Sequence, residues 1–237
     1  TCSSSACACW PGTTGNCATC AEAVLPILLS WSGGKDAAWA LHVLRQHADV
    51  CVVALLSTLT EGYGRASMQG VREEVLQAQA DAAGLPLLCA WIPQTCDNTT
   101  YLQRMAQALL EARQRWPELR TLAFGDLLLE DIRQWRQQQF AELGWNCLFP
   151  LFGQDTSALA RHMIDAGLRA QLCCVDTQRL HADFAGRTFD HALLRALPTS
   201  IDPCGENGEF HTCVSGGPMF RTPLHLQQGQ TLMRDGR

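Results

Sequence analysis

The sequence predicts an α/β fold, a parallel sheet flanked by helices with a smaller C-terminal α/β or α+β domain, and three observations carry that prediction. Apolar runs of strand length alternate with amphipathic segments of helix length, the pattern of strands joined by crossover helices on both faces of a sheet. The first apolar run ends in Gly33-Gly34 directly before a helix-like segment, which reads as strand, turn and helix start. With 237 residues, the chain is long enough for one large or two modest domains and a real core.

Taken in order, strands are expected at residues 25–30, 50–57, 86–91 and 119–124, and helices at 36–47, 68–83 and 99–115. In the third helix Leu102, Met105, Ala106, Leu109 and Leu110 recur at helical spacing and read as core packing. A helix at 130–143 leads to a second group: strand 145–149, helix 156–166, strand 170–175 and a short helix at 190–196. Beyond residue 197 the composition turns to Pro, Gly and polar residues, an ordered-loop signature rather than a core element. The expected parts are a cysteine-rich tail at 1–23, a first domain at 24–143, a second at 144–222 and a frayed tail at 223–237. In open sheets of this kind ligands bind beyond the carboxyl ends of the strands, where the loops 32–36, 57–65 and 125–130 lie.

The net charge is −5 with the signs interspersed, which argues against a general nucleic-acid surface. No apolar run approaches the ~20 residues of a membrane span, and no basic segment followed by an apolar one opens the chain, so the cytoplasm is the expected location. Of thirteen cysteines, Cys51, Cys89, Cys147, Cys173 and Cys174 sit in apolar strand-like runs and read as reduced core residues. Five others, Cys2, Cys7, Cys9, Cys17 and Cys20, crowd into residues 1–23. That segment reads as a flexible tail; its alternative reading is four thiolates for zinc or an iron-sulfur cluster.

Ser32-Gly33-Gly34-Lys35-Asp36 has the chemistry of a phosphate cradle. Gly33 and Gly34 let several backbone N–H groups converge on an anion, and the helix behind adds the positive end of its dipole. Ser32 supplies a hydroxyl, Lys35 a mobile charge, and Asp36 a carboxylate that either caps the helix or holds a phosphate-bound Mg2+. A tight strand-to-helix turn alone explains the glycines and Asp36, but not Ser32 and Lys35 together. The stretch 202–212, Asp-Pro-Cys-Gly-Glu-Asn-Gly-Glu-Phe-His-Thr, packs acids, an amide, a thiol and an imidazole into one loop. By itself it reads as a polar turn between short strands.

The pentad resembles the S-G-G-x-D-S loop of the PP-loop ATP pyrophosphatases, and the second stretch resembles the C-G-E-N-G-E-F-H-T motif of the diphthine-ammonia ligase family and its bacterial relatives. Further matches fall in order across residues 25–220: Glu61-Gly62-Tyr63 with Arg65, Gly70-Val71-Arg72, Gly125-Asp126 with Asp131 and Arg133, and Gly217-Pro218-Met219-Phe220. Departures are Ala37 for a serine, Gln69 for a histidine, Leu127 for an isoleucine and Gln137 for an acid.

The resemblance implies a nucleotide-binding sheet of the adenine nucleotide alpha hydrolase (HUP-like) type and an ATP-dependent amide ligase. In that reaction a carboxylate attacks the α-phosphate, pyrophosphate leaves, and ammonia displaces AMP. Expected nucleotide contacts are Ser32, Gly33, Gly34, Lys35, Asp36, Ser57, Gly125, Asp126 and Arg133, with Mg2+ near Asp36 and Asp126. Lys35, Glu206, Glu209 and His211 are the expected catalytic groups, the acids for ammonium and the imidazole for its proton; equally, the acids serve only to hold the loop. Partners are ATP, ammonium and a carboxylate, one carried on a protein being allowed, and a homodimer is compatible with the sequence. Competing readings are a tRNA-thiolating PP-loop enzyme using Cys204 or the N-terminal cysteines, and a non-catalytic ATP sensor.

Overall fold

The computed structural model describes residues 24–67 and 69–233. The cysteine-rich segment 1–23 therefore lies outside the described residues, with its tail and metal readings. The larger sheet is built from β1 (Leu25–Ser30), β2 (Val50–Thr60), β3 (Arg65–Ala66), β4 (Leu87–Ile92), β5 (Thr121–Ala123) and β6 (Asn146–Leu148). Its parallel strands run in the order β4-β2-β1-β5-β6, and β3 adds an antiparallel pairing at the end of β2.

The helices are α1 (Lys35–Leu44), α2 (Glu73–Ala83), α3 (Asn98–Arg115), α4 (Glu130–Glu142), α5 (Thr156–Asp165) and α6 (His191–Ala196). Successive residues of β1 serve opposite cores: Ile27 and Leu29 pack with α1, α2 and α5, while Leu28 packs with α3 and Phe140 of α4. A strand buried on both faces needs an unbroken apolar run, which is what residues 25–29 supply. The second sheet pairs β7 (Arg169–Val175) with β8 (Phe210–Gly216) antiparallel. Its apolar side, Leu172, Val175, Phe210 and Val214, joins the core that α1 and α2 cover. Among the described residues no helix is long and apolar enough to cross a membrane.

Several expectations are corrected. The loop-like region after residue 197 contains β8, because Phe210, Thr212 and Val214 alternate inward and complete a two-stranded ladder with β7. The strand at Asn146–Leu148, grouped by sequence with the C-terminal elements, pairs with β5 in the large sheet. Helix α2 begins at Glu73 rather than residue 68, since Ala66 N–H donates to Val71 O (2.7 Å) and Arg65 bridges Arg72 in a small antiparallel turn. In α3 the buried stripe is Met105, Ala108, Leu109 and Ala112, and Leu110 is 60% exposed because its position rotates off that face. Cys173 and Cys174 are exposed rather than core residues, and the eight described cysteines are free thiols.

Candidate active site

Strands β1 and β5 are neighbours, with α1 leaving on one face and α4 on the other, so their carboxyl ends open a crevice at a switch point of the sheet. Residues 31–34 link β1 to α1 at that point. Gly125, in the loop after β5, faces α1 so closely that a Cβ there would lie 2.8 Å from the backbone carbon of Asp36 and 2.9 Å from the nitrogen of Ala37. The two loops therefore touch backbone to backbone.

Gly34 occupies the N-cap of α1, and no side chain caps it. Asp36 does not cap the helix; its Oδ2 instead pairs with Lys35 Nζ at 2.9 Å. The Lys35 N–H donates to Thr212 Oγ1 (3.0 Å), and Val214 N–H to Gly33 O (3.0 Å). Strand β8 thus docks on the turn, and this contact joins the two sequence motifs. Lys35 is only 3% exposed, and its ammonium also donates to the Cys204 carbonyl and lies 5.6 Å from the Phe210 ring centre. Burial works against that charge, but the carboxylate of Asp36 and the groups beyond it outweigh burial, and the Lys35 pKa ends above its usual value.

Within residues 202–212 the acids divide. Glu209 is 1% exposed and accepts from Asp202 N (3.2 Å), Asn207 N (3.0 Å) and Asn207 Nδ2 (2.9 Å). Burial alone would raise its pKa, but these bonds hold it below the usual carboxylate range. Asp202 accepts from Cys204 N (2.8 Å), Glu206 N (3.3 Å) and the Thr156 hydroxyl (2.6 Å). Glu206 receives a longer bond from Leu127 N (3.3 Å) and faces the Leu128 amide, but burial with the nearby Asp36 charge outweighs them and pushes its pKa up to about 7. His211 is held below its ordinary value by burial and by the Lys35 charge.

The remaining predicted contacts have these places. Ser32 Oγ accepts from Gly34 N–H (3.3 Å), while the buried Ser57 donates to Trp31 O (2.6 Å) and so pins the approach to the turn. Asp126 Oδ2 forms an ion pair with Arg136 Nε at 2.9 Å. Burial raises the Asp126 pKa, Arg136 opposes, and Asp36 adds to the rise. Arg133 pairs with Glu130 (3.0 Å) and stacks 4.3 Å from the Phe152 ring centre, at the rim of the crevice.

Sequence reading missed Gln79, Arg136 and the role of Thr212. The available signal for Gln79 is a polar residue inside the Leu76, Ala80, Ala83 stripe of α2; for Arg136 and Thr212 the signal exists only in three dimensions. Cys204 is buried, its thiol donates to Thr156 O (3.4 Å), and burial lifts its pKa to about 12, the opposite of a reactive thiolate.

Known proteins match this architecture in two consecutive blocks. Residues 26–146 match the model of the diphthamide synthase N-terminal domain, and residues 155–234 that of the diphthamide synthase C-terminal domain. A diphthine–ammonia ligase of Schizosaccharomyces pombe is 26% identical over 215 residues, which cover 82% of this chain and 35% of the relative. The chain therefore spans about a third of the length of the curated relative it matches. With both domain models matched in order, and the glycine turn in the first block meeting the acidic loop of the second, the chain belongs to the diphthamide synthase family.

Proposed function

We propose that this chain is an ATP-dependent amide ligase that adenylates a carboxylate, releases pyrophosphate and then transfers the acyl group to ammonia. The observation that carries this reading is the meeting at Lys35 of a phosphate-type turn and an acidic loop, with Asp36, Glu206 and His211 all within electrostatic reach of that one ammonium. The name of the fungal relative supplies the acceptor and the nitrogen source, diphthine and ammonia; here both are part of the proposal.

In the first step a carboxylate oxygen bonds to the α-phosphorus and the bond to the β-phosphate oxygen breaks, leaving pyrophosphate. Residues Ser32 to Lys35 receive that leaving group, and the Lys35 charge offsets the negative charge that develops on it. Arg133 is assigned to the same charge from the α4 side, where its Nε is buried without a hydrogen-bond partner. Ser57 holds the approach to the turn through Trp31.

Asp36 Oδ1 is buried without a hydrogen-bond partner, and Asp126, whose Oδ2 is ion-paired with Arg136, lies within electrostatic reach of Asp36; these two carboxylates are the residues that would hold a Mg2+. Bound there, Mg2+ would neutralise phosphate charge.

In the second step ammonium first gives one proton to a base, the ammonia so formed bonds to the acyl carbon, AMP leaves with the carbon–oxygen electron pair, and the second proton, shed by the new amide nitrogen, leaves on the AMP phosphate. Glu206 above pH 7 is the carboxylate that holds ammonium, and neutral His211 takes the proton. Glu209 acts by fixing the loop that presents both. The buried Cys204 weighs against sulfur transfer through that residue.

The test is product analysis with the full chain, α-labelled ATP, Mg2+, ammonium and a diphthine-bearing acceptor. AMP with pyrophosphate and an amidated acceptor is the expected result. ADP with phosphate as the sole products overturns the proposal.

A further inference from the structure

Gln79 is 0% exposed on α2, so each polar atom of its amide must be satisfied inside the protein. Its Oε1 accepts from Trp31 Nε1 (3.0 Å), and its Nε2 donates to Gly33 O (3.0 Å) and Val214 O (2.7 Å). Both amide hydrogens are therefore used, one on the phosphate turn and one on β8. Gly33 O takes a second donor, Val214 N–H, at 3.0 Å. The seat is close: at φ 79°, a Cβ on Gly33 would come within 2.8 Å of both Gln79 Oε1 and Leu76 Cδ2.

A trans peptide unit is planar, with its C=O and N–H pointing in opposite directions. Two donors on Gly33 O, one from α2 and one from β8, fix that carbonyl. The Gly34 N–H of the same unit is thereby held on the opposite side, toward Ser32 Oγ at 3.3 Å. Without such a grip, a glycine pair is free to rotate the unit and point a carbonyl where an anion needs a donor.

We propose that Gln79 is a positioning residue for the phosphate turn: its carboxamide fixes the Gly33–Gly34 peptide so that the Gly34 N–H faces pyrophosphate, and couples the turn to the strand bearing His211 and Thr212. The inference rests on the reading of residues 32–36 as the pyrophosphate grip.

Calorimetry on the full chain, with inorganic pyrophosphate plus Mg2+ and separately with AMP, tests it. Gln79→Met keeps the length and removes the donors. Its pyrophosphate Kd should rise about tenfold, the equivalent of about 1.4 kcal/mol, while its AMP Kd stays within about twofold. Gln79→Glu keeps the acceptor for Trp31 but sets an oxygen against two carbonyls; its larger loss at pH 8 should be partly regained at pH 5.5, where a protonated carboxyl donates once. Trp31→Phe, which removes the indole donor to Gln79 Oε1 and leaves the Trp31 backbone carbonyl in place, should weaken pyrophosphate about threefold and serves if Gln79→Met does not fold. Unchanged pyrophosphate affinity in the folded variants, or equal losses for pyrophosphate and AMP, would overturn the positioning role. A wild-type chain that binds no pyrophosphate would overturn the reading of residues 32–36 and this inference with it.

Discussion

The two loops that meet at Lys35 keep their shapes in opposite ways. Residues 32–36 are held from outside: Gln79 and Val214 grip Gly33 O, and Thr212 accepts from Lys35 N–H. Residues 202–212 are held largely from within, through the carboxylates of Asp202 and Glu209 bonding to amides of the same loop. A loop held from outside need not spend its own backbone carbonyls and amides on itself. The loop spends Asp202 and Glu209 on its own amides and leaves Glu206 outside that network.

The most severe way to break the comparison is to remove the group both loops share. Lys35→Ala takes away the cation between Asp36 and the Cys204 carbonyl. Loss of one such preorganised charge typically lowers turnover about 10²- to 10³-fold, and AMP formation is expected to fall by that order. A fall of less than about tenfold would show that the proposed pyrophosphate grip works without its lysine.

Glutamine replacements at the two acids should then separate. Glu209→Gln puts an NH2 against amide donors that a carboxylate now accepts, and losing bonds to a charged group costs about 2–4 kcal/mol. For a chain of this size that lowers Tm by roughly 5–15 °C. The Glu209 pKa is depressed, so its stabilisation is present above the unfolded carboxylate value of 4.5 and fades as pH falls through the folded value. Differential scanning calorimetry across pH 3–8 reads both effects.

Glu206 runs the other way. Its pKa is raised from 4.5 to about 7, so the favourable neutral form is fully present below 4.5 and lost as pH rises through 7. Glu206→Gln should therefore be more stable than wild type at pH 8 and no more stable at pH 4, with solvent access to the loop holding the gain to about 1 kcal/mol. Amidation should lose its dependence on a group near pH 7, together with most of its rate at low ammonium. Equal Tm losses at 206 and 209 would mean the two acids do the same work.

The same contrast explains what was legible in the sequence. The strand, turn and helix start at β1 and α1 could be read because a glycine pair closely follows an apolar run and precedes a helical segment. The parallel sheet could be read because Leu25 to Ser30 and Val50 to Thr60 are buried on both faces and carry few polar residues. Strand β8 was hidden by the glycines and acids that precede it, since its alternation of Phe210, Thr212 and Val214 begins within the acidic motif itself. The division of labour between Glu206 and Glu209 was equally invisible. Both flank Gly208 and Asn207 in sequence, and only the fold shows that Asn207 and Asp202 turn their donors on Glu209 and leave Glu206 to the amides of Leu127 and Leu128.

The smallest expected effect tests the turn's own sequence. Ala37 stands where the related loops carry serine, and it is buried on the first turn of α1, beside the close contact with Gly125. If the methyl points along the turn, Ala37→Ser adds one hydroxyl donor to the phosphates, worth about 0.5–1.5 kcal/mol, and pyrophosphate affinity should improve roughly two- to tenfold with AMP affinity unchanged. An unchanged pyrophosphate affinity with a lowered Tm would place that hydroxyl in the core shared with Trp39 and Leu41. The turn would then draw its donors from backbone amides held from outside, and the alanine would be a packing choice rather than a weakened grip.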